Sequence, residues 1–239
     1  MSINSAPYAA SGYVIEPPAQ ASLSVSGSDN RFPVHRVYCV GRNYAAHAVE
    51  MGHDPDKEPP FFFQKNPDNL IADATEFPYP KASSDVHHEI ELLVALKSGG
   101  ENIDVSNAPD CVFGYGVSLD MTRRDLQGEM KKMGRPWEIG KAFEDSAPAG
   151  PVYPVSEVGH PDTGDIWLKV NGEIRQTGDL NQMIWKTAEM ISMYSTPSRD
   201  RHLIQLPVRS RCQHDRACRR EHPADTVHHR QLGVWHLCG

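Results

Sequence analysis

Residues 86–96 (Val-His-His-Glu-Ile-Glu-Leu-Leu-Val-Ala-Leu) constrain the fold more than any other segment. The second half is an unbroken apolar run followed by a Ser-Gly-Gly turn, which makes the segment the clearest strand in the chain. Glu89 and Glu91 lie two residues apart in the first half. Side chains alternate along a strand, so both carboxylates leave one face, about 7 Å apart at Cα. Like charges beside an apolar strand are costly unless water or a cation satisfies them. Two arrangements meet that demand. One is a solvent-facing stretch with two ordinary acids; the other is a site for a hard divalent ion, Mg2+, Mn2+ or Ca2+, which prefers carboxylate and water oxygens. His87 lies on the same face, either supporting the carboxylates or simply structural.

The rest of the chain reads as short strands joined by turns. Residues 1–30, rich in Ala, Ser and Pro, are expected to be a loose leader with one short strand at 21–25. Residues 33–41 read as a buried strand ending at Gly41. Asn43 is placed to cap a short helix over 44–51, stopped by Gly52. A Pro-rich loop leads to an aromatic strand at 61–63, and a second apolar strand at 111–119 runs into a polar helix at 123–133. Asn171-Gly172, between strands at 166–170 and 173–176, is a hairpin signal. Apolar spacing through Leu180, Ile184, Trp185, Ala188 and Ile191 predicts a helix over 180–194. Strands outnumber helices, so the expected class is β-rich α+β rather than doubly wound.

Several polar residues bear on chemistry. Asp120 ends the second apolar strand, as a helix cap or as a third carboxylate beside Glu89 and Glu91. His47 and Glu50 share one helix face, as a surface pair or as an imidazole oriented by a carboxylate to activate water. Lys141 follows Gly140, which would permit close approach of a ligand, and could stabilise an oxyanion or simply be exposed. Arg42, Arg124 and Gln127 are candidates to hold a substrate carboxylate or carbonyl.

Charge narrows the partners. The 239 residues carry a formal charge of −7, which argues against nucleic acid as the main partner. No apolar run approaches the roughly 18 residues of a membrane span. The start has no charged-then-apolar pattern, so no signal peptide is expected. Five cysteines without an early framework read as reduced thiols of a cytoplasmic protein. The charge is uneven: residues 195–239 carry +4 and the remainder −11. This tail also holds six of the twelve His and three of the five Cys. Cys212, Cys218 and His222 fit no common zinc spacing well.

Taken together, four strings resemble the fumarylacetoacetate hydrolase family. They are residues 41–52 (Gly-Arg-Asn-Tyr-Ala-Ala-His-Ala-Val-Glu-Met-Gly), 87–92 (His-His-Glu-Ile-Glu-Leu), 120–127 (Asp-Met-Thr-Arg-Arg-Asp-Leu-Gln) and 140–143 (Gly-Lys-Ala-Phe). Residues 61–65 (Phe-Phe-Phe-Gln-Lys) and 133–138 (Met-Gly-Arg-Pro-Trp-Glu) look most like the fumarylpyruvate hydrolases of gentisate-type aromatic breakdown. The resemblance implies a homodimeric mixed β-roll with short helices, and Mg2+ or Mn2+ held by Glu89, Glu91 and Asp120. It also implies a water-activating pair, His47 and Glu50, assisted by Lys141, and cleavage of a carbon–carbon bond in a diketo acid substrate. Other reactions open to such a site are 2-oxo acid decarboxylation and isomerisation; a dead member that only binds or dimerises is a further alternative. The likeness covers about 32–194, so residues 31–194 are expected to form a catalytic domain.

Two departures follow. Ala142 and Glu144 replace the Ser and Asp of the family's Gly-Lys-Ser-Phe-Asp string. Beyond residue 195 the family's Pro-Gly-Asp-Leu-Ile, Thr-Gly-Thr-Pro and Gly-Val-Gly stretches give way to the Arg-, His- and Cys-rich tail. The expectation is an aberrant, frameshifted tail that leaves the domain incomplete and its C-terminal strands missing or replaced.

Overall fold

The computed structural model describes residues 12–41, 43–44, 59–72, 76–195 and 203–207. A hairpin opens the chain: β1 (Ser22–Val25) and β2 (Ser28–Pro33), turning through Gly27 at φ 68°. β3 (Val37–Gly41), β4 (Phe61–Lys65) and β5 (Leu70–Ala72) follow, then β6 (Val86–His87) and β7 (Ile90–Leu96). β8 (Val112–Leu119) and β9 (Thr122–Arg123) lead into α1 (Arg124–Lys132) and α2 (Glu138–Lys141). β10 (Ala147–Ala149), β11 (Tyr153–Pro154) and α3 (Val155–Val158) come next. The hairpin β12 (Asp165–Val170) and β13 (Glu173–Asp179), α4 (Thr187–Ser195) and β14 (Leu203–Pro207) complete the described elements.

The main sheet is mixed and runs β4–β3–β14–β7–β8–β10–β5, with β11 also on β8. β1–β2, β6–β9 and β12–β13 form separate two-stranded sheets. β7 is buried along its whole length, and its side chains reach two apolar clusters, one on each face. Leu92 and Val94 join Tyr115, Leu119, Ile166, Leu168 and Met190 in the larger cluster. Leu93 and Ala95 join Leu23, Val37, Cys39 and Val152 in the smaller. Each such Leu, Ile, Val or Met side chain contributes roughly 1.5–3 kcal/mol on burial. β8 admits its neighbour by lacking side chains: a Cβ at Gly114 would lie 2.3 Å from the Tyr153 carbonyl oxygen.

The architecture is the β-rich α+β roll expected, with short helices. The Asn171-Gly172 turn has both residues at positive φ, 54° and 81°, as a tight hairpin turn requires. Four local expectations need correction. The stretch 86–96 is two strands: β6 pairs with β9 and β7 with β8, because the chain leaves the main sheet at His88-Glu89. The stretch 33–41 likewise divides, β2 ending at Pro33 and β3 beginning at Val37.

The helix expected over 180–194 forms only from Thr187. Before it, Ile184 N–H donates to the Asn43 carbonyl, and Trp185 N–H donates to Asn43 Oδ1. Asn43 Nδ2 in turn donates to the Trp185 carbonyl, 2.9 Å away. This long-range pairing outcompetes the helical pattern, and Asn43 uses its side chain as a clamp. The helix expected over 44–51 lies outside the described residues beyond Tyr44. Finally, the leader is packed in part: Leu23, fully buried in the smaller cluster, anchors the β1–β2 hairpin.

Beyond the expected domain end at residue 194 lies β14, parallel to β3 and antiparallel to β7, so a strand of the tail sits inside the main sheet. Cys212, Cys218 and His222 lie outside the described residues. Among the described residues no helix is long and apolar enough to cross a membrane.

Candidate metal centre

β7 and β8 are antiparallel, and the start of one meets the end of the other. That register puts Glu91 opposite Ser118 and brings Asp120, just past β8, beside Glu89. Asp120 N–H donates to the Glu89 carbonyl at 2.8 Å. One oxygen from each of Glu89, Glu91 and Asp120 lies within 4.8 Å of the others, and all three residues are buried. Asp120 is not a helix cap; α1 begins four residues later, with Arg123 at its cap.

Cations surround the acids. Lys141, at the end of α2 and 3% exposed, donates through Nζ to Asp120 Oδ2 (2.5 Å), Thr122 Oγ1 (2.7 Å) and Glu89 Oε2 (3.0 Å). Lys65, at the end of β4, places Nζ 3.0 Å from Asp120 Oδ1 and donates to the Met121 and Lys141 carbonyls. Arg124 pairs with Glu89 Oε1 through Nη2 and donates through Nη1 to Gln127 Oε1 at 2.7 Å. Burial alone would depress the Lys141 ammonium; Asp120 and Glu89 outweigh it and raise its pKa. Glu91 is also shifted upward, which for an acid favours the neutral form. Burial, reinforced by the Asp120 charge, pushes its carboxyl well above the usual range, and Lys141 and Lys65 offset only part of this. Glu91 Oε2 is buried without a hydrogen-bond partner among the described residues.

The structure therefore assembles six of the nine residues singled out in the sequence: Glu89, Glu91, Asp120, Arg124, Gln127 and Lys141. Arg42, His47 and Glu50 lie outside the described residues. His87 pairs with Asp85, Nε2 lying 3.2 Å from Oδ1. One detail changes. Gly140 makes room for α1 rather than for a ligand, since a Cβ there would lie 2.9 Å from the Gln127 backbone nitrogen. Lys65 and Thr122 went unnoticed in the sequence. A lysine closing the aromatic strand Phe61-Phe62-Phe63-Gln64 was the available signal, but only an acid facing it gives it meaning.

Three buried carboxylates make a donor set that suits a hard divalent ion; among the described residues Glu91 Oε2 and Asp120 Oδ1 accept no hydrogen bond, the latter lying beside the Lys65 ammonium. The neighbouring ammonium and guanidinium groups suit an anionic substrate.

Comparison with known proteins points the same way. Residues 36–199 match the model of the fumarylacetoacetate (FAA) hydrolase C-terminal family. The crystal structure of fumarylpyruvate hydrolase from Pseudomonas aeruginosa in complex with Mn2+ and pyruvate is 52% identical, with a TM-score of 0.78, covering 82% of this chain and 86% of that one. An oxaloacetate tautomerase of Escherichia coli is 40% identical over 166 residues, 69% of this chain and 75% of the relative. A mitochondrial oxaloacetate decarboxylase of Dictyostelium discoideum is 35% identical over 161 residues, 67% of this chain and 74% of the relative. The extent of the family match, on a fold and acid cluster of the expected form, shows that the chain belongs to the fumarylacetoacetate hydrolase family.

Proposed function

We propose that the protein is a metal-dependent hydrolase of acylpyruvates that converts fumarylpyruvate to fumarate and pyruvate in gentisate-type aromatic catabolism. In this reading it works as a homodimer in the cytoplasm. The observation that carries the reading is the orphaned Glu91 Oε2, buried beside Glu89 and Asp120 where a hard ion would satisfy it. The 52% identity to a fumarylpyruvate hydrolase supports fumarylpyruvate as the substrate.

Glu89, Glu91 and Asp120 would hold Mg2+ or Mn2+, with Ca2+ also compatible with an all-oxygen donor set. When bound, such an ion supplies Lewis acidity toward the oxygens of a 2-oxo acid and favours enolate charge. His47, oriented by Glu50, takes a proton from water, and the hydroxide oxygen bonds to the distal carbonyl carbon of the substrate. Lys141, charged and nearly water-free, stabilises the oxyanion of the tetrahedral adduct. Collapse re-forms the carbonyl and breaks the carbon–carbon bond, whose electron pair leaves with the pyruvate carbon as enolate. Protonation of that carbon completes pyruvate. Arg42, Arg124 and Gln127 orient the substrate carboxylate, Arg124 and Gln127 already joined by their hydrogen bond.

A second reading is favoured by the relatives that act on oxaloacetate: tautomerisation or decarboxylation of that 2-oxo acid at the same site. Two parallel assays separate them, loss of the fumarylpyruvate enolate absorbance and consumption of oxaloacetate, each with and without Mg2+ or Mn2+. Ion-dependent loss of fumarylpyruvate with little oxaloacetate turnover is expected; the reverse overturns the substrate assignment. His47→Ala is expected to lower turnover by about 100-fold or more, as loss of a general base does, while Mn2+ binding measured by calorimetry stays unchanged.

A further inference from the structure

One peptide unit ties the three candidate ligands together, and a residue from a remote hairpin secures its free side. The unit lies between Glu89 and Ile90. Its carbonyl, that of Glu89, accepts the Asp120 N–H at 2.8 Å. Its N–H, that of Ile90, donates to Oε1 of Gln176 at 2.9 Å. Glu89 and Glu91 flank Ile90 directly, so the orientation of this plane sets where both carboxylates leave the backbone. It also sets how Asp120 meets them.

The N–H needs a side-chain partner for a topological reason. In an antiparallel ladder successive residues point alternately to the two edges. The Glu89 carbonyl faces Asp120 on the β8 side, so the Ile90 N–H faces the opposite edge. On that edge the described pairing of β7 with β14 begins at Glu91, opposite Pro207. Gln176 takes the place of the next strand residue. It stands on β13 opposite Leu168, 1% exposed, in a two-stranded sheet separate from the main one. A buried amide is costly unless bonded, and a buried peptide N–H equally so. Here the Ile90 N–H and the Gln176 Oε1 satisfy each other, while Nε2 of the same buried amide stands outside that bond.

We propose that Gln176 is a positioning residue for the ion site: its carbonyl oxygen holds the Glu89–Ile90 peptide, and through it the spacing of Glu89, Glu91 and Asp120. The proposal rests on the metal reading above and adds a residue that touches neither ion nor substrate. Groups that orient metal ligands typically govern affinity by 10–100-fold.

The test is Mn2+ titration of the full chain by calorimetry, with folding followed by circular dichroism. Gln176→Leu is expected to fold and to bind Mn2+ at least about tenfold more weakly. Gln176→Glu, which keeps an acceptor for Ile90, is expected to stay within about threefold of the unsubstituted chain. Leu168→Ala loosens the same hairpin and lowers the melting temperature, and is expected to leave Mn2+ affinity unchanged. Affinity in folded Gln176→Leu equal to the unsubstituted chain overturns the proposal, as does a loss in Gln176→Glu matching that of Gln176→Leu. Should Gln176→Leu not fold, Gln176→Asn, too short to reach Ile90, is read by the same criterion. Failure of the unsubstituted chain to bind Mn2+ overturns the metal reading itself, and this proposal with it.

Discussion

The two ends of β7 are built on opposite principles. From Leu92 to Leu96 the strand is apolar and packs against apolar neighbours on both faces. At Glu89 to Glu91 the same backbone carries two buried acids into a cluster with Asp120, Lys65, Lys141 and Arg124. The first end stabilises through area removed from water. The second recovers by ion pairing only part of the desolvation its charges cost. Apolar packing holds the fold, and an expensive charge cluster is retained on it for chemistry. Substitutions at the two ends should therefore separate activity from stability.

The largest expected effect is on turnover. Glu91→Ala removes one of the three candidate ligands and should abolish the proposed ion-dependent hydrolysis of fumarylpyruvate. Its melting temperature should hold or rise, because the lost carboxyl is buried with an oxygen that has no hydrogen-bond partner among the described residues. Normal turnover in this variant would remove the ion from the mechanism.

Lys65→Met takes a cation from beside Asp120 and leaves an acid with weaker compensation. Breaking a buried ion pair in this way costs about 3–5 kcal/mol, readable as a lowered midpoint in urea. A midpoint shift below 1 kcal/mol, roughly the worth of a surface pair, would show that Lys65 adds little to the cluster.

At the apolar end, Leu93→Ala should destabilise by about 2–5 kcal/mol through lost burial and the cavity left behind. Its Mn2+ affinity, measured on the folded protein, should not change. Weakened binding would show that the two ends are mechanically joined and the contrast is false.

The same contrast governs what was legible in the sequence. Local patterns revealed the apolar half of β7, the β12–β13 hairpin with Asn171-Gly172, and the candidate acids, since each depends on near neighbours in the chain. The break at His88-Glu89 did not show, because the segment reads as one strand and only β9, β8 and Gln176 pull it apart. The segment before α4 was misread for a similar reason. Ile184 and Trp185 continue a helical spacing, yet Asn43, far away in sequence, claims their backbone. Lys65 and Gln176 could not be found at all without their partners, for a single lysine or glutamine on a strand carries no periodic signal.

The smallest effect is a slope with pH, and its sign follows from Glu91. In the ion-free fold, burial and then the Asp120 charge hold this carboxyl well above the ordinary glutamate value of about 4.3. A folded pKa raised above the unfolded one gives stability that is complete below the unfolded value. That stability is lost as pH climbs through the folded value. With the ion removed by chelator, the Glu91 contribution should therefore fall with rising pH, by up to about 1.4 kcal/mol per pH unit. A divalent ion takes the place of the proton, so Mn2+ should bind more tightly as pH rises across the same window and release a proton on binding. The gap between melting temperatures with Mn2+ and with chelator should widen from acid toward neutral pH. Glu91→Gln, which carries no proton to exchange, should flatten that gap. An equal gap at every pH in the unsubstituted protein would show that Glu91 is already ionised, and that the neighbouring cations, rather than an arriving metal, satisfy the charged end of β7.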